Sequence, residues 1–163
     1  MEHIVYLALG SNMGDRAAHL KAAAGNLAPQ MLLKAKSPMY ETPPWGYTDQ
    51  DPFLNQVVKV ETYLEALPLL KHIKRLEKAL GRTPSIQNGP RVIDIDILFF
   101  DDAAIDSAPL HVPHPHLHER AFVLVPLADI APDFVHPTLR QTVKELLRGV
   151  DASGIRLFET SAA

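Results

Sequence analysis

Apolar and acidic residues alternate from Ile93 to Phe99, with Ile93, Ile95, Ile97 and Phe99 on one side of an extended chain and Asp94 and Asp96 on the other. Successive side chains of a strand point to opposite faces, so the spacing predicts a strand with one continuous apolar face and two acids about 7 Å apart on its back. A helical period governs Glu65 to Leu80, where Leu67, Leu70, Ile73, Leu76 and Leu80 recur at three and four residues and Gly81 supplies the stop. Ile4 to Leu9 reads as a strand running into GSNMGD, whose two glycines permit a tight turn and whose Asp15 caps a helix from about Arg16 to Leu27. LLKAKSPMYET and FLNQVVKVET are rich in β-forming residues and predict two more strands. Between them PPWGYTDQDP, with three prolines and a glycine, is a loop long enough to bind or cover something. Farther on, PLHVPHPHLHER is irregular, AFVLVPLADI is a short strand or helix, Thr138 to Leu147 is a helix ended by Gly149, and GIRLFET is a last strand. The order strand, helix, strand, strand, helix, strand predicts a split βαβ arrangement, an antiparallel sheet with helices packed on one face.

Composition narrows the class. A chain of 163 residues, 47% of them hydrophobic, suits one domain over residues 1–163 that can bury a real core. A formal net charge of −3 argues against a broad nucleic-acid surface, though a local basic pocket remains open. With no cysteine there are neither disulfides nor thiolate metal sites. The apolar run of MEHIVYLALGSN is too short and wrongly flanked for a signal peptide, and no stretch reaches the ~20 apolar residues of a membrane span. A soluble, monomeric cytoplasmic protein is expected.

The acids carry the first chemical question. Two adjacent carboxylates repel, and burying them unpaired costs several kcal/mol each, so water, basic side chains or metal ions should lie against them. Arg91 precedes Asp94 by three residues and Arg82 opens the preceding polar loop, so acids and bases converge on one end of the strand. Mg²⁺ takes few carboxylates and completes its shell with water and phosphate oxygens, and two such ions a few Å apart can clamp a polyphosphate. VPHPHLHER holds His114, His116 and His118, but prolines fix its backbone and no HExxH frame supports zinc. Phosphate hydrogen bonding by His114 and Arg120 suits it better. LGSNMGD lacks the Lys-Ser/Thr ending of a P-loop and is read as a strand-to-helix turn. Trp45, Phe53 and Phe122 are either core aromatics or stacking partners for a planar ligand; Trp45 lies in the Pro-rich loop and Phe53 directly after it.

Taken in order, LALGSNMGD, YETPPWG, DPFLNQVV, LEKALGR, NGPRVIDIDILFF and VPHPHLHERAFVLVPLADIAPDFVHP resemble the hydroxymethyldihydropterin pyrophosphokinases of folate biosynthesis, over roughly residues 4–137. The resemblance implies a ferredoxin-like α+β fold and transfer of pyrophosphate from ATP to the hydroxymethyl oxygen of 6-hydroxymethyl-7,8-dihydropterin, releasing AMP. It implies that Asp94 and Asp96 hold two Mg²⁺ ions and that Arg82 and Arg91 are the catalytic loop arginines. His114 and Arg120 would be further phosphate contacts, with Glu77 and the backbone near Ile97 and His111 facing the nucleoside. Thr42, Pro43, Trp45, Phe53, Asn55 and Phe122 match the pterin pocket, Phe53 and Phe122 sandwiching the ring and Asn55 reading its edge. Three features depart from the family pattern: TPSIQN stands where further basic residues are usual, Asn88 where an aromatic often precedes Gly-Pro-Arg, and His116 where arginine is common.

Two rival readings are weighed. A two-metal phosphodiesterase would use Asp94 and Asp96 but normally needs more acidic ligands. A nucleic-acid-binding module of the same fold would stack bases on Trp45 and Phe53, against which the acidic balance counts.

Overall fold

The computed structural model describes residues 2–43, 49–83 and 89–158. Its elements, in chain order, are β1 (His3–Ser11), α1 (Arg16–Gly25), β2 (Met31–Lys36), β3 (Tyr40–Thr42), β4 (Phe53–Thr62), α2 (Ala66–Ala79), β5 (Asp94–Phe100), β6 (Ile105–Ser107), β7 (Leu110–Val112), α3 (Ala121–Ile130), α4 (Val143–Arg148) and β8 (Arg156–Leu157). The main sheet runs β5-β1-β4-β3-β8, with β2 also paired to β4; β6 and β7 form a separate hairpin. The pairings of β1 with β4 and β5, and of β4 with β2 and β3, are all antiparallel. An α+β fold with an antiparallel sheet at its centre is therefore present, as the element order predicts.

Helices cover both faces of this sheet, not one. On the first face Leu20 and Ala23 of α1 and Leu69 and Ile73 of α2 pack on Val5, Leu7, Leu9, Ile95 and Ile97. On the second, Val123, Leu124 and Leu127 of α3 and Val143 and Leu146 of α4 pack on Tyr6, Val57, Leu98 and Phe99. The segment left open as strand or helix, AFVLVPLADI, becomes α3 because Val123, Leu124 and Leu127 then bury together.

The strict alternation expected along β5 breaks at a bulge. Tyr6 pairs with Phe99 but Leu7 with Ile97, so Leu98 is the extra residue. Phe99 joins Leu98 on the second face, and Phe100 returns to the first. Other boundaries shift for local reasons. LLKAKSPMYET splits into β2 and β3 around Ser37 and Pro38, where the Ser37 hydroxyl accepts from the amide of Val57 at 3.0 Å. The final helix starts at Val143, not Thr138, because Thr142 and Glu145 form a reciprocal capping box. In α2 the buried line runs through Leu69 and Ile73, and Leu67 is 42% exposed. The last strand keeps only Arg156 and Leu157.

Candidate active site

A cleft of about 690 Å³, counted out to its open mouth, lies on the second face of the sheet, between the strands and the N-terminus of α3. Its floor is two rows of paired residues: Asp94, Gly10 and Asn55 in one, Asp96, Ala8 and Val57 in the next. Residues opposite each other on neighbouring strands stand about 5 Å apart. Glycine and alanine in the middle strand therefore leave a trough between the acids and Asn55. A Cβ on Gly10 would sit 2.9 Å from Asn55 Oδ1 and 3.7 Å from Phe53 Cδ1, closer than the first can accept.

At the acidic end, Asp94 is gripped by two arginines. Arg82 Nη1 donates to its Oδ1 at 2.8 Å, and Arg91 Nη1 lies 3.3 Å from its Oδ2. Arg82 Nη1 also donates to Glu77 Oε2 at 2.6 Å, and the same oxygen accepts from the Ile95 amide at 2.8 Å. Glu77 is 2% exposed, so its carboxylate fastens α2 to β5 and holds Arg82 instead of lining the cleft. Asp96 has its carboxyl pushed well above the usual range, first by burial, then by the charge of Asp94 beside it. Among the described residues no three His, Asp or Glu side chains gather into a metal cage. Two carboxylates at the end of a roomy cleft suit a hard cation that draws its remaining ligands from water and phosphate oxygens.

His114 and Arg120 close the same end. The His114 amide donates to Leu98 O at 3.1 Å and its Nδ1 accepts from the His116 amide at 3.2 Å. Burial, then the positive charge of Arg120, lowers its pKa to about 4, so near neutrality the ring is uncharged with its proton on Nε2. The zinc reading of the histidine tract gains nothing: His116 and His118 turn to Glu119, each at 3.5 Å. Arg91 is held by its main chain as well as its side chain. Its amide donates to Asn12 Oδ1 at 2.9 Å, the Asn12 amide donates to Arg91 O at 3.2 Å, and Arg91 Nε donates to Gly89 O at 3.0 Å.

The other end is less polar. Asn55 Nδ2 donates to Thr42 Oγ1 at 2.6 Å, which fixes the amide and turns Oδ1 toward Gly10. Phe53 and Phe122 line the cleft with Pro43, and the Arg120 guanidinium carbon lies 5.5 Å from the centre of the Phe122 ring. One cleft thus joins a charged end, with acids and arginines, to an end with two aromatic rings and a fixed amide.

A model of the family described as 7,8-dihydro-6-hydroxymethylpterin-pyrophosphokinase matches residues 6–132. The chain belongs to that family. It is 49% identical, over 94% of its length and 98% of the relative's, to a 2-amino-4-hydroxy-6-hydroxymethyldihydropteridine pyrophosphokinase from Methylorubrum extorquens. With the enzyme of that name from Bacillus subtilis it shares 41% identity over 98% of its length and 92% of the relative's. It is 46% identical to the folic acid synthesis protein FOL1 of Dictyostelium discoideum over 88% of its own length but spans only 22% of that protein. Among solved structures, wild-type HPPK-DHPS of Plasmodium falciparum superposes with a TM-score of 0.74 at 19% identity, covering 91% of this chain and 45% of the other. At that identity the likeness concerns the fold, and it accords with the ferredoxin-like expectation.

Of the residues the family resemblance singles out, the cleft gathers Thr42, Pro43, Phe53, Asn55, Arg91, Asp94, Asp96, His114, Arg120 and Phe122. Arg82 and Glu77 stand directly behind Asp94. Ile97 is buried in the first-face core, and His111, on the β6–β7 hairpin, bonds Asp106 Oδ1 at 2.7 Å; neither lines the cleft. Trp45 lies outside the described residues, as do residues 84–88 of the TPSIQN loop. Sequence reasoning passed over Gly10 and Asn12. Their signal was small and polar residues closing an apolar strand, read only as a turn.

Proposed function

We propose that this protein transfers pyrophosphate from ATP to the hydroxymethyl group of 6-hydroxymethyl-7,8-dihydropterin, in a Mg²⁺-dependent reaction that releases AMP. The observation that carries the reading is the joining, in one cleft, of the Asp94–Asp96 pair and its arginines to the Phe53, Asn55 and Phe122 end. Asp94 and Asp96 would hold two Mg²⁺ ions, which when bound supply positive charge to neutralise the polyphosphate. Arg91, Arg120 and neutral His114 face the same space and donate N–H groups to phosphate oxygens, while Arg82, fastened to Glu77, backs Asp94. Phe53 and Phe122 stack on the pterin, and Asn55, its amide fixed by Thr42, presents Oδ1 as an acceptor for the ring's N–H edge. The hydroxyl oxygen then forms its bond to the β-phosphorus as the bond from that phosphorus to the AMP oxygen breaks, its proton passing to solvent and the bridging oxygen leaving on AMP. Positioning and charge stabilisation by these residues carry the rate. The substrates are small molecules; neither nucleic acid nor a membrane enters, and no helix among the described residues is long and apolar enough to span one.

The test is direct. Protein, Mg²⁺, ATP and the reduced pterin should give AMP and pterin diphosphate in equal amounts, and neither without the pterin. AMP formed without pterin would favour a phosphodiesterase, and no AMP under any condition would end the proposal.

A further inference from the structure

We propose that Arg16, the first residue of α1, is a positioning residue that clamps the base of the 43–52 loop and so sets the pterin end of the cleft. The inference rests on the pterin pyrophosphokinase reading. One guanidinium spans both ends of that loop: Nη2 donates to Glu41 Oε2 at 2.6 Å and Nη1 to the Pro52 carbonyl at 3.0 Å. The ladder between β3 and β4 ends at the pair Thr42 and Phe53. Arg16 therefore ties Glu41, one residue inside this last pair, to Pro52, one residue outside it on the opposite strand. Thr42, Pro43 and Phe53 all line the cleft, so the geometry of the clamp passes straight to its wall.

The clamp has a backing from the far end of the chain. The Phe158 ring centre lies 5.7 Å from the Arg16 guanidinium carbon, and the Phe158 amide donates to Met39 O at 2.9 Å. β8 pairs with β3, Leu157 opposite Tyr40 and Arg156 opposite Glu41. Gly154 presses on the loop's first residue, since a Cβ there would meet Pro43 Cγ at 3.3 Å. This segment lies beyond the residues matched by the family model, yet it supports the wall that faces the pterin. A planar fork with two fixed donor directions can hold a carboxylate and a carbonyl at once; an ammonium group on a flexible stem holds one at a time. The hydrogen bonds and ion pair of Arg16 go to Glu41 and Pro52 and not to Asp94, Arg91 or His114, so the clamp is expected to act on the pterin end of the cleft.

Steady-state kinetics and amide exchange on Arg16→Ala and Arg16→Lys test this. The KM for 6-hydroxymethyl-7,8-dihydropterin should rise about tenfold in Arg16→Ala, the scale of one lost charge-assisted hydrogen bond, with kcat and the ATP KM within about twofold of wild type. Lys should restore only part of the loss. Exchange in peptides covering Tyr40–Pro43 and Phe53–Asn55 should accelerate, with no change over Val5–Leu9. Should Arg16→Ala fold poorly, Glu41→Gln removes the charged partner and should shift the pterin KM the same way. An unchanged pterin KM overturns the clamp, as does a joint rise of both KM values with faster exchange throughout the sheet, the mark of a merely structural residue. If the wild-type protein forms no AMP with pterin, the functional reading fails; the exchange comparison still decides the clamp.

Discussion

Asp94 and Asp96 differ by two positions and by almost everything else around them. Asp94 has both oxygens answered by arginines, whereas Asp96 sits in the cleft with its neighbouring acid as the chief electrostatic influence after burial. A carboxyl raised above its unfolded value favours the fold below that unfolded value and loses the contribution as pH rises toward the folded one. Near pH 7 the ligand-free fold must therefore keep Asp96 protonated where the unfolded chain would ionise it, which is a burden on stability. Asp96→Asn should raise Tm by roughly 2–4 °C, the shift that ~1 kcal/mol produces in a domain of this size, while cutting turnover by orders of magnitude. Asp94→Ala should lose turnover too but lower Tm, since it strands Arg91 and leaves Arg82 only Glu77. Thermal unfolding and Mg²⁺-dependent AMP formation on both variants check this; near-normal turnover in either removes it from the metal site. Sequence alone showed the acids and the arginines near them. Which acid the arginines hold depends on how α2, Arg82 and Arg91 come to lie against β5, and no spacing rule contains that.

At the scale of elements, the far end of the sheet is pinned by a histidine between two acids. His3 Nδ1 lies 2.7 Å from Asp101 Oδ2 and Nε2 lies 3.3 Å from Glu65 Oε1, joining the start of β1 to the turn after β5 and to the residue that opens α2. Asp101 also accepts the Ile4 amide, at 2.7 Å, and adopts a left-handed φ of 49°. The hydrogen bond to Asp101, with help from Glu65, outweighs burial and raises the His3 pKa above its ordinary 6.5. The sign follows: His3 contributes fully below pH 6.5, and its contribution is lost as pH rises through the raised folded value. His3→Gln should reduce stability at about pH 6 and make less difference by about pH 8. Urea unfolding across that range checks it; an equal loss at every pH would mean that packing on Phe100, not charge, is what His3 supplies. The helical period of α2 and the glycine stop were legible in the sequence. The bulge at Leu98 was not, because LFF is apolar throughout and carries no mark of where the register slips.

Over the whole molecule, the proposed reaction divides the cleft into a binding end and a reacting end, and substitutions should divide likewise. Stacking on a ring that does not change during phosphoryl transfer holds ground and transition states alike, so Phe122→Ala should mainly weaken pterin binding. Arg91 lies 3.3 Å from Asp94, where the proposed reaction would shift charge as the bond to AMP breaks. Arg91→Ala should lower the single-turnover rate at saturating substrates by about 10²-fold or more and leave pterin affinity nearly intact, with Lys a partial rescue. Transient kinetics with fluorescence-detected pterin binding would separate the two; the reverse pattern would mean the two ends are misassigned.

The amino-acid sequence by itself determined the element order from β1 to β5, the antiparallel α+β class, the paired acids on the back of β5 and, through its motifs, the family, because these are properties of neighbouring residues and of local periods. Tertiary structure decided the rest: that helices cover both faces, that Phe99 turns away from Ile97, that Gly10 and Ala8 hollow the floor, and that Arg16 closes a loop 25 and 36 residues away. Those outcomes depend on strand register and on which groups meet across the chain. Packing and hydrogen-bond satisfaction set them only once the whole fold is assembled.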